Sequence, residues 1–330
     1  MSGRIRVAIV GFGSVVKSEL LPAMIACGRF EIAAVAEPRD VSVEMASRLP
    51  STVEWRKDYR EIEESKIDLV VVALPNHLHA EVACHFLIRG VRVFCEKPMA
   101  ISVSEAESMM EASRRSGALL MVGHVLRFAK PVAFLKRLMD RGVLGEIEYF
   151  CCRQGTARPP CGESDFYSLR RFAGGGVVID KGIHMLDLLE LLCGPIVVRG
   201  ARRIEVDGAE RDLEAEVNIE FTLEGSSRPS YFTLSRSRRL ENVLTLVCSE
   251  GNAHLDLADY RQLRLSCCLE PQGLDSIQVS FHGHNPFAVE MEHLADVIDK
   301  GIPCHSPGQV GLRALHQVEA IEDFLRRALA

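Results

Sequence analysis

The sequence is notable first for what it lacks. No apolar run approaches the roughly 18 to 20 residues of a membrane span, and the opening MSGRIRVAIVG goes straight into a strand pattern with no signal-peptide layout. A cytoplasmic protein with no membrane partner is expected. There is no C-x-x-C among the 11 cysteines. Their number is odd, and the adjacent pairs Cys151-Cys152 and Cys267-Cys268 are poorly spaced for bridging, so reduced, buried thiols are expected over a disulfide or zinc framework. Basic excess is missing too: 39 Lys and Arg stand against 45 Asp and Glu, net -6, which gives no electrostatic footprint for nucleic acid. No internal repeat or low-complexity segment interrupts the chain, and "GESDFYS" and "EGSSRPS" read as loops. What remains is ordinary globular composition, 47% apolar and 25% charged, over 330 residues. That length exceeds what one hydrophobic core usually holds, so two domains are expected.

The chain divides by rhythm. From residue 4 to about 122, the runs "IRVAIVG", "EIAAVAE", "IDLVVVALP", "VRVFCEKP" and "ALLMVG" alternate with helical stretches, the pattern of a doubly wound parallel sheet. Ser102-x-x-Glu105 predicts a capping box opening the helix that Gly117 ends, and Ser306-Pro307-x-Gln309 predicts another before the last helix. Beyond residue 123 come a helix with Pro131 near its start, a "GGG" helix, and successive strands from about 196 to 285. Strands without intervening helices predict a mainly antiparallel sheet. The fold class is therefore α/β, residues 1–122 forming a Rossmann domain and 123–330 an α/β domain with a large, mostly antiparallel sheet.

Several residues stand where chemistry is expected. Gly11, Phe12, Gly13, Ser14 and Val15 lie between the first strand and a helix, where backbone amides hold a pyrophosphate; the alternative is a tight turn without a ligand. Val16 replaces the third glycine of the G-x-G-x-x-G fingerprint. Glu37 ends the second strand, where a carboxylate accepts from the adenosine ribose and favours NAD, while Arg39 keeps NADP open. Ligands of this fold sit beyond the carboxyl ends of the strands, so Pro75, Asn76, His79, Glu96 and Lys97 are cofactor-binding candidates. Lys97 is either partly desolvated and able to stabilise an oxyanion, or a surface lysine paired with Glu96. The stretch "GGGVVIDKGIHMLDLLELLCGP" reads as one buried helix with Asp180, His184 and Asp187 on a single stripe. His77-x-His79 and His282-x-His284 lack a nearby cysteine or carboxylate at metal spacing, so no metal is expected. Trp55 is the only tryptophan, and its place in the cofactor half argues against sugar stacking.

"VGFGSVVKSELLPAM", "LPNHLH", "EKP", "RGVLGEI" and "GGGVVIDKGIHMLDLL" occur in the order and at about the spacing of the glucose-fructose oxidoreductase and inositol dehydrogenase family, Gfo/Idh/MocA, which the chain resembles over nearly its whole length. The resemblance implies an NAD(P)-dependent oxidoreductase of sugars, nucleotide-linked sugars or cyclitols, and a homodimer or homotetramer packed through the C-terminal sheet. It also implies that Lys97, Asp180 and His184 match the family's catalytic lysine, aspartate and histidine. His184 is the expected proton acceptor, Lys97 the group that polarises the substrate oxygen, and Asp180 a hydrogen-bond partner of a polyhydroxylated substrate. Asp187 is expected to satisfy neighbouring groups. Arg127, Tyr167 and Arg171, with Arg170, are candidates for substrate contact or for surface roles. Lys181, where the family usually has an apolar residue, would bring a second cation near the site and favour an anionic substrate. Two alternatives stay open: a glycosidase-type hydrolase that uses bound NAD for transient sugar oxidation, and a non-catalytic protein that binds cofactor or sugar.

Overall fold

Five short, mostly apolar runs and an edge strand of Glu54-Trp55-Arg56 pair into a parallel sheet in the computed structural model, which describes residues 3–40, 48–157, 169–204, 213–267, 275–283 and 285–328. The strands are β1 (Ile5–Val10), β2 (Phe30–Ala36), β3 (Glu54–Arg56), β4 (Leu69–Val72), β5 (Arg92–Cys95) and β6 (Leu120–Val122), in the order β3-β2-β1-β4-β5-β6. Every residue of β4 is buried, because helices cover both faces of such a sheet. The order reverses between β1 and β4, so the ligand crevice of this fold lies beyond their carboxyl ends.

Around this sheet lie α1 (Leu21–Cys27), α2 (His79–Leu87) and α3 (Val103–Ser116). Ser102 Oγ accepts from Glu105 N at 3.2 Å, as the capping box predicts, although the Glu105 carboxylate returns to Ile101 N instead of the cap residue. Gly117 ends α3 at φ 72°. The later helices are α4 (Lys130–Asp140), α5 (Ile183–Cys193), α6 (Pro286–Lys300) and α7 (Gly308–Arg327). The second expected capping box is corrected. Ser306 is fully buried against the edge strand β6, where its hydroxyl donates to Val122 O at 2.7 Å, and Pro307 stands at the N-cap of α7 with no side-chain cap.

The second sheet has eight strands: β7 (Ile147–Gly155), β8 (Ile196–Arg203), β9 (Glu216–Leu223), β10 (Pro229–Ser235), β11 (Val243–Cys248), β12 (Gly251–Asp256), β13 (Gln262–Cys267) and β14 (Asp275–Ser280). Their order is β14-β13-β12-β11-β7-β10-β9-β8, antiparallel except where β7 and β10 run parallel. Period-two alternation buries Phe150, Phe221, Phe232 and Leu246 on one face. One continuous apolar cluster joins these to Leu186 and Leu189 of α5 and to Val70 and Val93 of the parallel sheet. Helix α5 is thereby held between the two sheets, which is what brings its polar residues to the strand ends. Among the described residues the cysteines are unbridged, and no helix is long and apolar enough to cross a membrane.

Candidate active site

The turn after β1 is shaped by close approach. Gly11 has φ 91°, and a Cβ there would overlap the Ala73 carbonyl oxygen just beyond β4. A Cβ on Gly13 would meet nothing within 4 Å, which leaves open space over the start of the following helix. Val16, in place of the third glycine, is fully buried and opens a π-helical stretch, Val16–Leu20, before α1. Ser14 is exposed, Val15 half-buried, and the Ser14 carbonyl accepts from Ser18 Oγ. Phe12 N donates to Glu37 Oε2 at 2.8 Å, and the Phe12 ring meets Trp55 edge-on at 5.4 Å.

Glu37 is buried, and Arg39 donates to its Oε1 through Nε at 2.8 Å and to its Oε2 through an outer nitrogen at 3.1 Å. Burial pushes this carboxyl up, but Arg39 and the Phe12 and Arg39 amides outweigh it and hold it below the usual range. The residues fit a dinucleotide: an open glycine turn, a clamped carboxylate at the end of β2 and, at the end of β5, the Glu96 Oε1 with no partner among the described residues.

At the end of β4 the expectations need correction. His79 is buried, its two ring nitrogens lying 2.7 and 2.8 Å from the Pro98 and Leu74 carbonyls. Burial depresses its pKa, with the two carbonyls opposing, and both ring nitrogens of His79 are engaged in joining two loops. Asn76 is likewise buried, its amide donating to Ala173 O at 2.9 Å; Pro75 is half-buried and precedes it.

Lys97, half-buried after β5, reaches the active-site helix. Its Nζ donates at 3.0 Å to the main-chain carbonyl of Asp180, not to the carboxylate. The single stripe is also corrected. Val178–Gly182 forms a π-helical stretch, so Asp180 and His184 are not related by α-helical spacing. His184 Nδ1 is buried without a partner among the described residues. Burial, then Lys97 and His124, hold His184 well below the usual histidine range. Asp187, fully buried, accepts from Arg127 at 2.7 to 2.9 Å, and His124 Nδ1 lies 3.8 Å away.

Arg127 also donates to His305 O at 3.0 Å, so its guanidinium is committed inside the protein and the expectation of substrate contact is corrected. Arg171 is exposed and stacks over Phe172 at 4.6 Å, and Arg170 pairs with Glu322 at 2.7 Å. Tyr167 lies outside the described residues, as does His284. Lys181 donates to Thr156 Oγ1, tying the helix to the end of β7. Among the described residues no three His, Cys, Asp or Glu side chains group as a metal site.

Three supporting residues escaped sequence reasoning. Glu214, buried, caps the helix from another segment, its Oε1 accepting from Gly176 N at 2.9 Å and Val178 N at 3.1 Å. A Cβ on Gly176 would overlap the Glu214 backbone, which explains that glycine by packing. His124 and Glu290 are both fully buried, with every ring nitrogen and carboxyl oxygen unpartnered among the described residues. The only sequence signals were glycines beside them, Gly123 and Gly176, whose neighbours the chain order does not reveal.

Comparison with known proteins adds the following. Residues 5–124 match the model of an oxidoreductase family with an NAD-binding Rossmann fold, GFO_IDH_MocA, and residues 132–254 match the GFO/IDH/MocA C-terminal domain. D-glucoside 3-dehydrogenase of Escherichia coli K12 is 32% identical over 198 residues, 58% of this chain and 55% of that protein. The chain thus spans about half the length of such relatives. The NAD(+)-dependent scyllo-inositol 2-dehydrogenase of Bacillus subtilis strain 168 is 23% identical over 91% of this chain and 88% of its own. The solved structure of levoglucosan dehydrogenase with NADH and L-sorbose superposes with TM-score 0.89 at 20% identity, covering 99% of this chain and 98% of its own.

Proposed function

This chain belongs to the Gfo/Idh/MocA oxidoreductase family, and from that premise we propose that it moves a hydride between NAD and a hydroxyl-bearing carbon of a sugar, a nucleotide-linked sugar or a cyclitol. The observation that carries this reading is the reach of Lys97 from the end of β5 to Asp180, in a fold whose first turn keeps open space at Gly13. A dinucleotide held by the glycine turn and Glu37 would supply the hydride acceptor. Lys97 Nζ stabilises charge developing on the substrate oxygen. Asp180 orients the substrate hydroxyl, and His184 accepts its proton. As the carbon loses hydride, the hydroxyl becomes a protonated carbonyl, an acid strong enough for even a depressed imidazole to deprotonate. Glu37, with Arg39 held on both its oxygens, supports NAD over NADP, since a 2′-phosphate would have to draw Arg39 away. In this reading residues 1–122 bind the dinucleotide and 123–330 the substrate. The uncovered face of the eight-stranded sheet, with Tyr231 and Val197 exposed, carries assembly into a homodimer or homotetramer.

The test is nicotinamide absorbance with NAD and NADP against free sugars, cyclitols and nucleotide-linked sugars. The lone Trp55, touching Phe12 of the turn, reports nucleotide binding by its emission independently of turnover. Turnover on the panel supports the dehydrogenase. Silence, with nicotinamide released only by denaturing the protein, would replace it with the hydrolase that oxidises transiently.

The depression of His184 carries a sign. A base held below the ordinary value of about 6.5 stays neutral until the solution is more acidic than that. The acid limb of kcat/KM is therefore expected on the acid side of the ordinary histidine value. A limb centred above the ordinary histidine value would remove His184 from the role of proton acceptor.

A further inference from the structure

Glu214, 2% exposed and two residues before β9, takes three consecutive amides at the start of the active-site helix. Its Oε1 accepts from Gly176 N at 2.9 Å and Val178 N at 3.1 Å, and its main-chain carbonyl accepts from Val177 N at 2.9 Å. A helix leaves these first donors without partners of its own. The other carboxyl oxygen accepts from Arg170 at 3.4 Å, and the same guanidinium pairs with Glu322 of α7 at 2.7 Å. Both carboxyl groups lie against glycines. A Cβ on Gly175 would stand 2.6 Å from Glu322 Oε1, and one on Gly176 would stand 2.7 Å from the Glu214 carboxyl carbon. The helix start is thus clasped at once from the segment before β9, from α7 and from the short helical turn Arg170–Ala173.

This clasp leads directly to the reacting groups. Gly176, whose N–H is held by Glu214, accepts from Asp180 N at 3.2 Å, and Asp180 O accepts from Lys97 Nζ at 3.0 Å. The two peptide groups that flank Asp180 are therefore fixed, one by Glu214 acting through Gly176 and the other by Lys97. Between Asp180 and His184 the chain follows the π-helical stretch Val178–Gly182, a path rare enough that its surroundings must hold it. We infer that Glu214 is a positioning residue for hydride transfer: by accepting from Gly176 and Val178 it holds the start of this stretch and sets Asp180 and His184 relative to Lys97. The inference rests on the dehydrogenase reading above. Arg170 on the other carboxyl oxygen balances the charge, which leaves the acceptor geometry to do the positioning.

The experiment compares Glu214→Ala with Glu214→Gln in the full chain, by single-turnover hydride transfer at saturating substrate from the panel above. Alanine removes the acceptor, and transfer should fall about 10²-fold, the effect of a displacement near 1 Å. NAD affinity, read from Trp55 emission, should change by less than about threefold. Glutamine keeps a carbonyl oxygen where Oε1 stands and should regain all but about fivefold of the wild-type rate. A role in stability alone would lower the urea midpoint and leave the rate of the folded enzyme unchanged.

A second readout needs no substrate. The NMR titration of His184, assigned by the signal that His184→Gln removes, should move from its depressed position toward the ordinary value of about 6.5 in the alanine variant, because a displaced helix start exposes the ring. In the glutamine variant it should stay as in the wild type. An alanine variant with the wild-type rate or an unmoved His184 titration overturns the inference, and so does a glutamine variant as slow as alanine. Where alanine does not fold, Glu214→Asp takes its place. It keeps the charge but is one methylene short of the two amides, so a loss of about tenfold is expected and a full rate overturns the inference. If no substrate of the panel turns over, the dehydrogenase reading fails, and the His184 titration alone decides whether Glu214 positions the helix.

Discussion

Lys97→Met is expected to lower turnover by roughly 10³-fold, about 4 kcal/mol of transition-state stabilisation, while NAD affinity read from Trp55 emission changes by less than about threefold. The side chain donates to a main-chain carbonyl of the active-site helix, so in the resting protein it is held in place by the element that carries Asp180 and His184. Methionine keeps the length and the apolar stem packed but can neither donate nor carry charge. Lys97→Arg is not expected to rescue, because a planar guanidinium does not reproduce a compact ammonium beside the Asp180 carbonyl. The decisive measurement is single-turnover hydride transfer at saturating substrate. A variant within tenfold of wild type would remove Lys97 from the chemistry and return it to a lysine that merely joins two elements.

Fold is legible in this sequence where local pattern and tertiary structure agree. The runs of β1, β2, β4, β5 and β6 are short and mostly apolar, as a parallel sheet covered by helices requires, whereas β3, Glu54-Trp55-Arg56 at the sheet's edge, has no apolar pattern to mark it. Gly11 was legible for a similar reason, since a positive φ against a neighbouring carbonyl allows no other residue. The failures share a physical cause: a side chain's partner lies far away in sequence. Ser306 has the spacing of a cap, yet a strand carbonyl 184 residues earlier takes its hydroxyl. Arg127 is by sequence a candidate for substrate contact or for a surface role, and Asp187, 60 residues on, takes its guanidinium. His79 sat at a strand end with a ligand's prior and was taken by two carbonyls. The π-helical stretch before α5 left no mark in the apolar pattern, because its buried residues Val178, Ile179 and Gly182 suit either helix. The parallel pairing of β7 with β10 was invisible for another reason: alternation fixes which face a residue takes and says nothing of strand direction.

Asp187→Ala is expected to cost about 3 to 5 kcal/mol of stability, measured by urea denaturation, because it leaves a buried guanidinium without its counter-charge. The pair is deep, with side-chain exposures of 9% for Arg127 and 2% for Asp187, and the carboxylate accepts three hydrogen bonds from the guanidinium. Removing both charges should hurt less than removing one. Asp187→Leu with Arg127→Met is expected to recover all but about 1 to 2 kcal/mol, since apolar groups of similar volume need no partner there. The double variant also separates structure from chemistry. His184 precedes Asp187 by less than one helical turn, and Arg127 joins that turn to the His305 backbone. If the pair only stabilises, the double variant keeps its turnover. If it also holds the His184 ring at its working angle, turnover falls while stability returns. A single variant that loses less than about 1 kcal/mol would mean that water or another donor replaces the missing carboxylate, and the pair would then be no more than a surface contact drawn inward.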